Sequence, residues 1–449
     1  KQKVNSKKYW GFFPFFYLNI IENLVLYKYI KKIRRGGQMR RVVVTGIGLI
    51  TSLGIGKQKT WERVLNGECG IDKITAFDTT EQSIHIAGEV KDFNPEDYIE
   101  KKEIKKLARF SQFAVAASKL ALEDSKFVID ESNAERTGVI VGSGIGGLEI
   151  IETEVGKLLE KGSRRVSPFY IPGAIVNMAA GNVSIYLGAK GPNTSVVTAC
   201  AAGTNSIGHA YEIIKLGKAD TMIAGGAEAT ITPSGIAGFA NLKALSTIED
   251  PKKASRPFTA DRAGFVMGEG AGILILEELE QAKARGAKIY AEIVGYGSTG
   301  DAYHMTSPSE GGEGAVRAMK MALDEAEADI TEVDYINAHG TSTPANDKNE
   351  TAAIKTLFGD HAYKLAVSST KGATGHILGG TGGVEAGFLA LAINEGILPP
   401  TINQDNPDPI CDLDYVPNKP VKRDIRIGLS NTFGFGGHNA VIAMKKYNG

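Results

Sequence analysis

From Arg41 to the end of the chain, short runs of β-branched and aliphatic residues alternate with longer stretches whose apolar positions recur every three or four residues. The short runs, bounded by glycine, read as buried strands. In the first part they are Val42–Gly46, Gly138–Gly142, Ser195–Ala199, Thr221–Gly225 and Gly272–Glu277. In the second they are Ile289–Gly297, Tyr335–Ala338, Leu365–Ser369, Arg426–Ser430 and Ala440–Lys445. The periodic stretches predict helices over Ile104–Ser125, Ala202–Leu216, Gly314–Ala328, Asp347–Phe358 and Gly382–Asn394. Such alternation predicts α/β layers on mostly parallel sheets. The rhythm of strand, glycine-rich turn and helix occurs twice. We therefore expect an internal duplication, with halves 39–285 and 286–449 meeting around Ala282–Lys288. Ser298–Gly314, rich in glycine, serine and proline, reads as a surface loop.

Residues 10–30, WGFFPFFYLNIIENLVLYKYI, break this rhythm and are followed by Lys31, Lys32, Arg34 and Arg35. Pro14, Asn19, Glu22, Asn23 and Lys28 interrupt the apolar run, which argues against a membrane anchor, and no small-residue cleavage site follows. The expectation is a folded part that starts at Met39, with 1–38 a gene-start artefact or a disordered extension.

Composition narrows the class. The chain has 449 residues, 43% hydrophobic and 23% charged, with a net charge of zero. That is ordinary for a soluble protein with large cores, and nothing global calls for nucleic acid or a membrane surface. The 54 glycines sit beside the β-branched runs, where strands end. Cys69, Cys200 and Cys411 lie far apart, so a disulfide framework or structural zinc site is not expected and a cytoplasmic location fits.

Four stretches carry candidate chemistry. In SVVTACAAGTNSIGHAYEIIKLG (Ser195–Gly217), β-formers lead into Cys200 and small residues then start a helix. A cysteine at such a corner faces free helix N–H groups, which favour its thiolate, while its own N–H is placed to stabilise an oxyanion. In YINAHGTSTPANDKNE (Tyr335–Glu350), strand-forming residues end at His339, where open α/β sheets place ligands. SSTKGATGHILGGTGGVEAG (Ser368–Gly387) puts Lys371 and His376 in a glycine-rich loop before a helix bearing Glu385. In SNTFGFGGHNA, Phe433 and Phe435 alternate with glycines, as in a gate or a turn anchor; His438 reads as structural. Taken singly, each of these residues has a plain structural reading. Two histidines at strand ends in one half, facing a cysteine corner in the other, do not.

Other glycine patterns are turns. GSGIGG at Gly142–Gly147 lacks the lysine and hydroxyl of a phosphate loop, and TGIGLITSLG at Thr45–Gly54 lacks the spacing of a dinucleotide fold. There is no cluster with metal-ligand spacing, and no cofactor is implied.

With these motifs in view, Met39–Lys446 resembles a β-ketoacyl-acyl-carrier-protein synthase of the type II kind, in the thiolase superfamily. TACAAGTNSIGHA resembles its nucleophile turn, NAHGTSTPANDKNE and STKGATGH its histidine and lysine motifs, and SNTFGFGGHNA its aromatic gate. ASRPFT at Ala254–Thr259 and DAYHMTSP at Asp301–Pro308 add to the likeness. The resemblance implies a thiolase-like fold, two duplicated α/β halves in a five-layered α-β-α-β-α sandwich. It also implies decarboxylative Claisen condensation in fatty acid elongation.

Carried over, Cys200 holds the acyl chain and its N–H, with that of Phe435, forms the oxyanion hole. His339 and His376 bind the malonyl thioester carbonyl, and Lys371 with Glu385 orients the loop bearing His376. Ile145, Tyr170 and Phe239 line the acyl pocket, Tyr170 from across a homodimer interface. Lys102, Lys105, Lys106, Arg164, Arg165 and Lys243 dock the acidic acyl carrier protein, although from charge alone KKEIKK at Lys101–Lys106 reads as a solvated helix face. Cys69 and Cys411 match no catalytic position. The nearest rival is a ketosynthase of type II polyketide assembly. A chain-length partner would lack Cys200, and a degradative thiolase would need a second cysteine near Phe435.

Overall fold

In the computed structural model, residues 39–449 are described, and Arg41–Gly449 form one unit. The aromatic stretch 10–30 and its basic flank lie outside the described residues. The glycine-bounded apolar runs become the strands of one sheet. They are β1 Val42–Thr51, β2 Thr137–Gly142, β3 Asn193–Thr194, β4 Thr221–Glu228 and β5 Gly270–Glu278, then β6 Ala291–Gly300, β7 Val333–Asn337, β8 Ala366–Ser368, β9 Ile427–Gly434 and β10 His438–Lys445. Their hydrogen-bonded order is β8-β7-β9-β10-β6-β1-β5-β4-β2-β3, with Gly54–Ile55 folding back on β1. Each half thus repeats one topology. In both, the strand entering first is innermost, the fifth lies beside it, then the fourth, the second and the third at the rim. The halves join where Val42–Val44 of β1 pair with Ala291–Ile293 of β6.

The sheet departs from the mostly parallel expectation. β2 pairs in parallel with β3 and β4, as β7 does with β8 and β9, but β1, β5, β6 and β10 pair antiparallel. One cause is local: only Phe435–Gly437 separate β9 from β10, and so short a turn can only fold a strand back antiparallel. A second departure concerns Ser195–Ala199. Only the preceding Asn193–Thr194 pair with Val139–Ile140, and the run then leaves the ladder to turn into a helix, with Ala199 at φ 49°.

Eight helices position the site: α1 Arg109–Ser125, α2 Leu148–Lys161, α3 Met178–Leu187, α4 Ala202–Lys215, α5 Pro233–Asn241, α6 Glu313–Glu325, α7 Pro344–Phe358 and α8 Thr381–Glu395. The predicted helix from Ile104 is broken, Lys101–Ile104 being a separate turn before α1. α2, α3 and α5 were not legible. α3, MAAGNVSIYL, mixes small, polar and apolar residues without a clear stripe. α1 and α3 cover one outer face, α6 and α7 the other, and α4 with α8 lie between the two halves of the sheet. This is the five-layered sandwich. Period-two alternation divides β5 between layers: Ile273 and Ile275 pack outward with Phe110 and Phe113, while Leu274 and Leu276 pack inward with Ile207 and Phe388.

Thirteen consecutive residues of α8, Thr381–Ile393, are buried, because it has sheet on both sides. Its first turn meets that of α4 backbone to backbone. A Cβ on Gly203 would lie 2.8 Å from the Gly383 nitrogen and 2.9 Å from the Gly379 oxygen. Among the described residues no helix is long and apolar enough to cross a membrane.

Candidate active site

The glycine contact between α4 and α8 brings together the loops that precede them. In the first, Ala201 N–H donates to Thr198 O at 3.0 Å, closing a turn around Cys200. Thr198 Oγ1 donates to Asn205 Oδ1 at 2.6 Å, and Asn205 Nδ2 donates to Tyr296 OH at 2.5 Å, so α4 itself anchors the turn. Cys200 is buried in an apolar cluster with Ile145, Phe239 and Leu378. In the second, Lys371–Thr374 make one helical turn and His376 follows, bridged to a neighbouring loop by its N–H to Val266 O at 2.7 Å.

His339 follows β7, and α7 fixes its backbone. Buried Glu350 accepts from the N–H groups of His339 at 2.9 Å and Gly340 at 2.8 Å. The two imidazoles stand edge to face with centroids 5.3 Å apart. Phe433 flanks His339 at 5.6 Å and Phe265 flanks His376 at 5.2 Å. Cys200, His339, His376, Phe239, Phe433 and Phe435 line one cavity of about 320 Å³, with exposed Lys243 at its mouth.

Burial sets the protonation states. It drives both histidines well below the usual imidazole range, and the Lys371 charge adds to this, so each is neutral at pH 7. Lys371 Nζ lies 2.6 Å from Glu385 Oε1 and both side chains are inaccessible. Burial raises Glu385 to about 7, against the pull of Lys371. Cys200 corrects the expectation of a favoured thiolate. Burial pushes its thiol up to about 12, and the N–H groups of Cys200 and Phe435, like Lys371, only oppose that rise. Desolvation of an anion here outweighs the helix end, whose first residue is Ala202. The resting residue is a thiol.

Glu228, at the end of β4, adds to the rise. Its carboxylate accepts from Ser143 Oγ at 2.7 Å and from the N–H groups of Gly144 at 2.7 Å, Gly379 at 3.0 Å and Ile145 at 3.3 Å. It thereby ties the loop carrying Ile145 to the loop after His376.

Other sequence-derived residues lie further out. Tyr170 opens the short helix Tyr170–Ala174, is half-buried, and does not line the cavity. Lys106 sits over the Phe169 ring at 5.5 Å and pairs with Glu103, and Lys102 pairs with Glu100. Lys105, Arg164 and Arg165 are exposed. Sequence reasoning gave no role to Glu228, Glu350 or Thr381. Glu350 had a signal: with Asp347, Thr351, Ile354 and Phe358 it falls on one face of α7, and polar residues there stand on the stripe that meets the core. Glu228 had none, since a strand's last residue is ambiguous between solvent and site.

Residues 39–282 match the N-terminal domain of beta-ketoacyl synthase and 290–405 its C-terminal domain. A 3-oxoacyl-[acyl-carrier-protein] synthase 2 of Staphylococcus aureus (strain COL) is 56% identical over 91% of this chain and 99% of its own. A solved beta-ketoacyl synthase from Burkholderia phymatum STM815 superposes with TM-score 0.85 at 38% identity, covering 91% of this chain and all of the other. A type II polyketide ketosynthase solved with its acyl-carrier protein gives TM-score 0.85 at 35% identity over the same shares. The chain belongs to the beta-ketoacyl synthase family.

Proposed function

We propose that this protein is a 3-oxoacyl-[acyl-carrier-protein] synthase of fatty acid elongation, an acyltransferase that condenses acyl carrier with malonyl carrier. The observation that carries this reading is one buried cavity in which a cysteine faces two neutral imidazoles. In the first half-reaction Cys200 Sγ attacks the acyl thioester carbonyl, its oxyanion held by the Cys200 and Phe435 N–H groups. The thiol proton passes to the departing carrier sulfur, so acyl-carrier plus Cys200 gives acyl-Cys200 plus free carrier. In the second, malonyl carrier places its thioester oxygen between His339 and His376. The C–C bond to carboxylate breaks, carbon dioxide leaves, and the enolate electrons remain on the substrate, stabilised by the two imidazole N–H donors. The enolate carbon attacks the acyl-Cys200 carbonyl, the C–S bond breaks with its electrons on sulfur, the Cys200 thiolate takes one proton from solvent to restore the thiol, and a 3-oxoacyl carrier two carbons longer departs.

Neutral imidazoles suit this work: they donate without carrying a charge into a dry site. Lys371 and Glu385 hold the second loop. Exposed Lys105, Arg164, Arg165 and Lys243, with Lys102 and Lys106, form the docking surface for the loaded carrier. Phe239 lines the cavity and Ile145 packs on the apolar cluster around Cys200, which supports an acyl side there. A homodimer is supported by exposed Ile171, Ile175, Ile185 and Val197 near the sheet rim at β3, which would bring Tyr170 to a partner's pocket. Three free cysteines support a cytoplasmic location. The test is elongation of a ladder of acyl-carrier substrates with malonyl carrier, products read by mass. One addition of two carbons per substrate is expected. Repeated additions would place it in polyketide assembly, and simple hydrolysis would overturn the condensing role.

A further inference from the structure

The two imidazoles in the cavity are held differently at their second nitrogens. His339 Nδ1 is buried and meets no hydrogen-bonding group. His376 Nδ1 lies 3.0 Å from Thr381 Oγ1, and Thr381 is 2% exposed. Thr381 is the first residue of α8, and among the described residues Nδ1 is the sole hydrogen-bonding partner of its hydroxyl. It does not use the backbone acceptors that a helical threonine ordinarily takes. The hydroxyl proton therefore has one acceptor, the Nδ1 lone pair. Were Nδ1 protonated instead, Thr381 would accept and its own O–H would be stranded without an acceptor in a dry site, which is costly. A neutral imidazole carries one proton, so occupation of Nδ1 by an incoming O–H sends it to Nε2. Among the described residues Nε2 has no hydrogen-bonding partner, on a ring that lines the cavity.

We propose that Thr381 is a positioning residue for decarboxylation: its hydroxyl fixes His376 as the Nε2–H tautomer, so that a donor and not a lone pair meets the malonyl thioester oxygen. This rests on the condensing function proposed above. The opposite tautomer would turn a lone pair on that oxygen and repel the growing enolate charge. His339, with no such partner, takes its orientation from Phe433 and from substrate. The division assigns Thr381 to the second half-reaction alone, because acylation of Cys200 uses backbone donors.

The experiment compares wild type, Thr381→Val, which keeps the shape without the hydroxyl, and Thr381→Ser, which restores it. The His376 imidazole nitrogens are read by 15N NMR, assigned by their loss in His376→Gln. Labelled carbon dioxide release and Cys200 acylation are measured alongside. Wild type and Thr381→Ser should show the Nε2–H pattern, and Thr381→Val a mixture of tautomers. Decarboxylation by Thr381→Val should fall about tenfold in kcat with KM and acylation unchanged, the worth of one neutral hydrogen bond. An Nδ1–H pattern in wild type would overturn the proposal even if Thr381→Val failed to fold. So would an unaltered tautomer and rate in that variant. Absence of carbon dioxide release from wild type would count against the condensing function, while the spectrum would still decide the tautomer.

Discussion

Removal of His339 or His376 should separate the two half-reactions. Both rings are buried and neutral, and their centroids lie 5.3 Å apart, close enough to serve one oxygen. In a site this dry, losing one preorganised donor to a developing anion costs about 3 kcal/mol, roughly a hundredfold or more in rate. His339→Ala and His376→Ala should each lose that much in carbon dioxide release from malonyl carrier. The double variant should lose less than the product of the two, because donors that share one oxygen act as a unit. Acylation should survive in all three. In the proposed mechanism its oxyanion is held by the Cys200 and Phe435 N–H groups, and its proton leaves on the carrier sulfur. Cys200→Ala should do the reverse, with no acyl-enzyme by mass but slow release of carbon dioxide. The assay pairs intact-protein mass after acyl carrier with labelled carbon dioxide from malonyl carrier. If the histidine variants failed to acylate and still decarboxylated, a histidine would be the base that takes the Cys200 proton, and the division argued here would be inverted.

Other consequences follow from the charges. Glu228→Gln removes the carboxylate that raises the Cys200 thiol, so iodoacetamide should alkylate Cys200 faster at pH 7.5; because the amide cannot accept from every donor now meeting Glu228, stability should fall by about 1–3 kcal/mol. An unchanged alkylation rate would show that Glu228 does not reach the sulfur electrostatically. Charge reversal at Lys105, Lys106 and Arg165 together should weaken carrier docking and flatten its salt dependence, with turnover of a small acyl-CoA unaffected; equal loss on both substrates would indicate damage to the fold. Burial depresses His376 in the folded state below its unfolded value of 6.5, so the unfolded chain takes up the proton first as pH falls. The stability that wild type holds over His376→Gln should therefore be constant above pH 6.5 and shrink by about 1.4 kcal/mol per unit below it, read by urea unfolding. A constant difference down to pH 5 would mean that His376 is not held neutral.

Cys200, His339, Lys371 and His376 each stand where an apolar run gives way to small residues, which made them candidates; taken singly each had a plain structural reading, and their roles came with the family resemblance. Helices with a strong stripe, such as α6, were legible. α3 was not, because its small, polar and apolar residues form no stripe, and only Ala179, Ala180 and Val183 are buried. Nor could period distinguish an antiparallel neighbour from a parallel one when both faces of a strand are buried, as in β1, where all ten residues are. The protonation state of Cys200 was misread for a related reason. A helix end is visible in the sequence, but the depth at which the fold buries it is not, and here depth decides.

The duplication explains why the site has this composition. In each half the third strand leads through a short loop into a central helix: β3 to α4 in the first, β8 to α8 in the second. Cys200 occupies the first of these loops and His376 the second, so they are related by the repeated topology. What makes the relation chemical is the contact at Gly203, Gly382 and Gly383, where the absence of side chains lets the two helix starts meet. A side chain at Gly203 would have to displace backbone on α8, and the first thing to move would be the loop bearing His376. Divergence then had only to assign different tasks to equivalent places. One loop keeps a nucleophile at a turn with free backbone donors, and the other keeps an imidazole whose far nitrogen is held by the helix that follows. Two half-reactions with opposite demands, attack on one carbonyl and stabilisation of another as an enolate, are thus served from two copies of one structural corner. In the proposed mechanism the nucleophile and the donors need not share a base, and all three are buried in their neutral forms at rest.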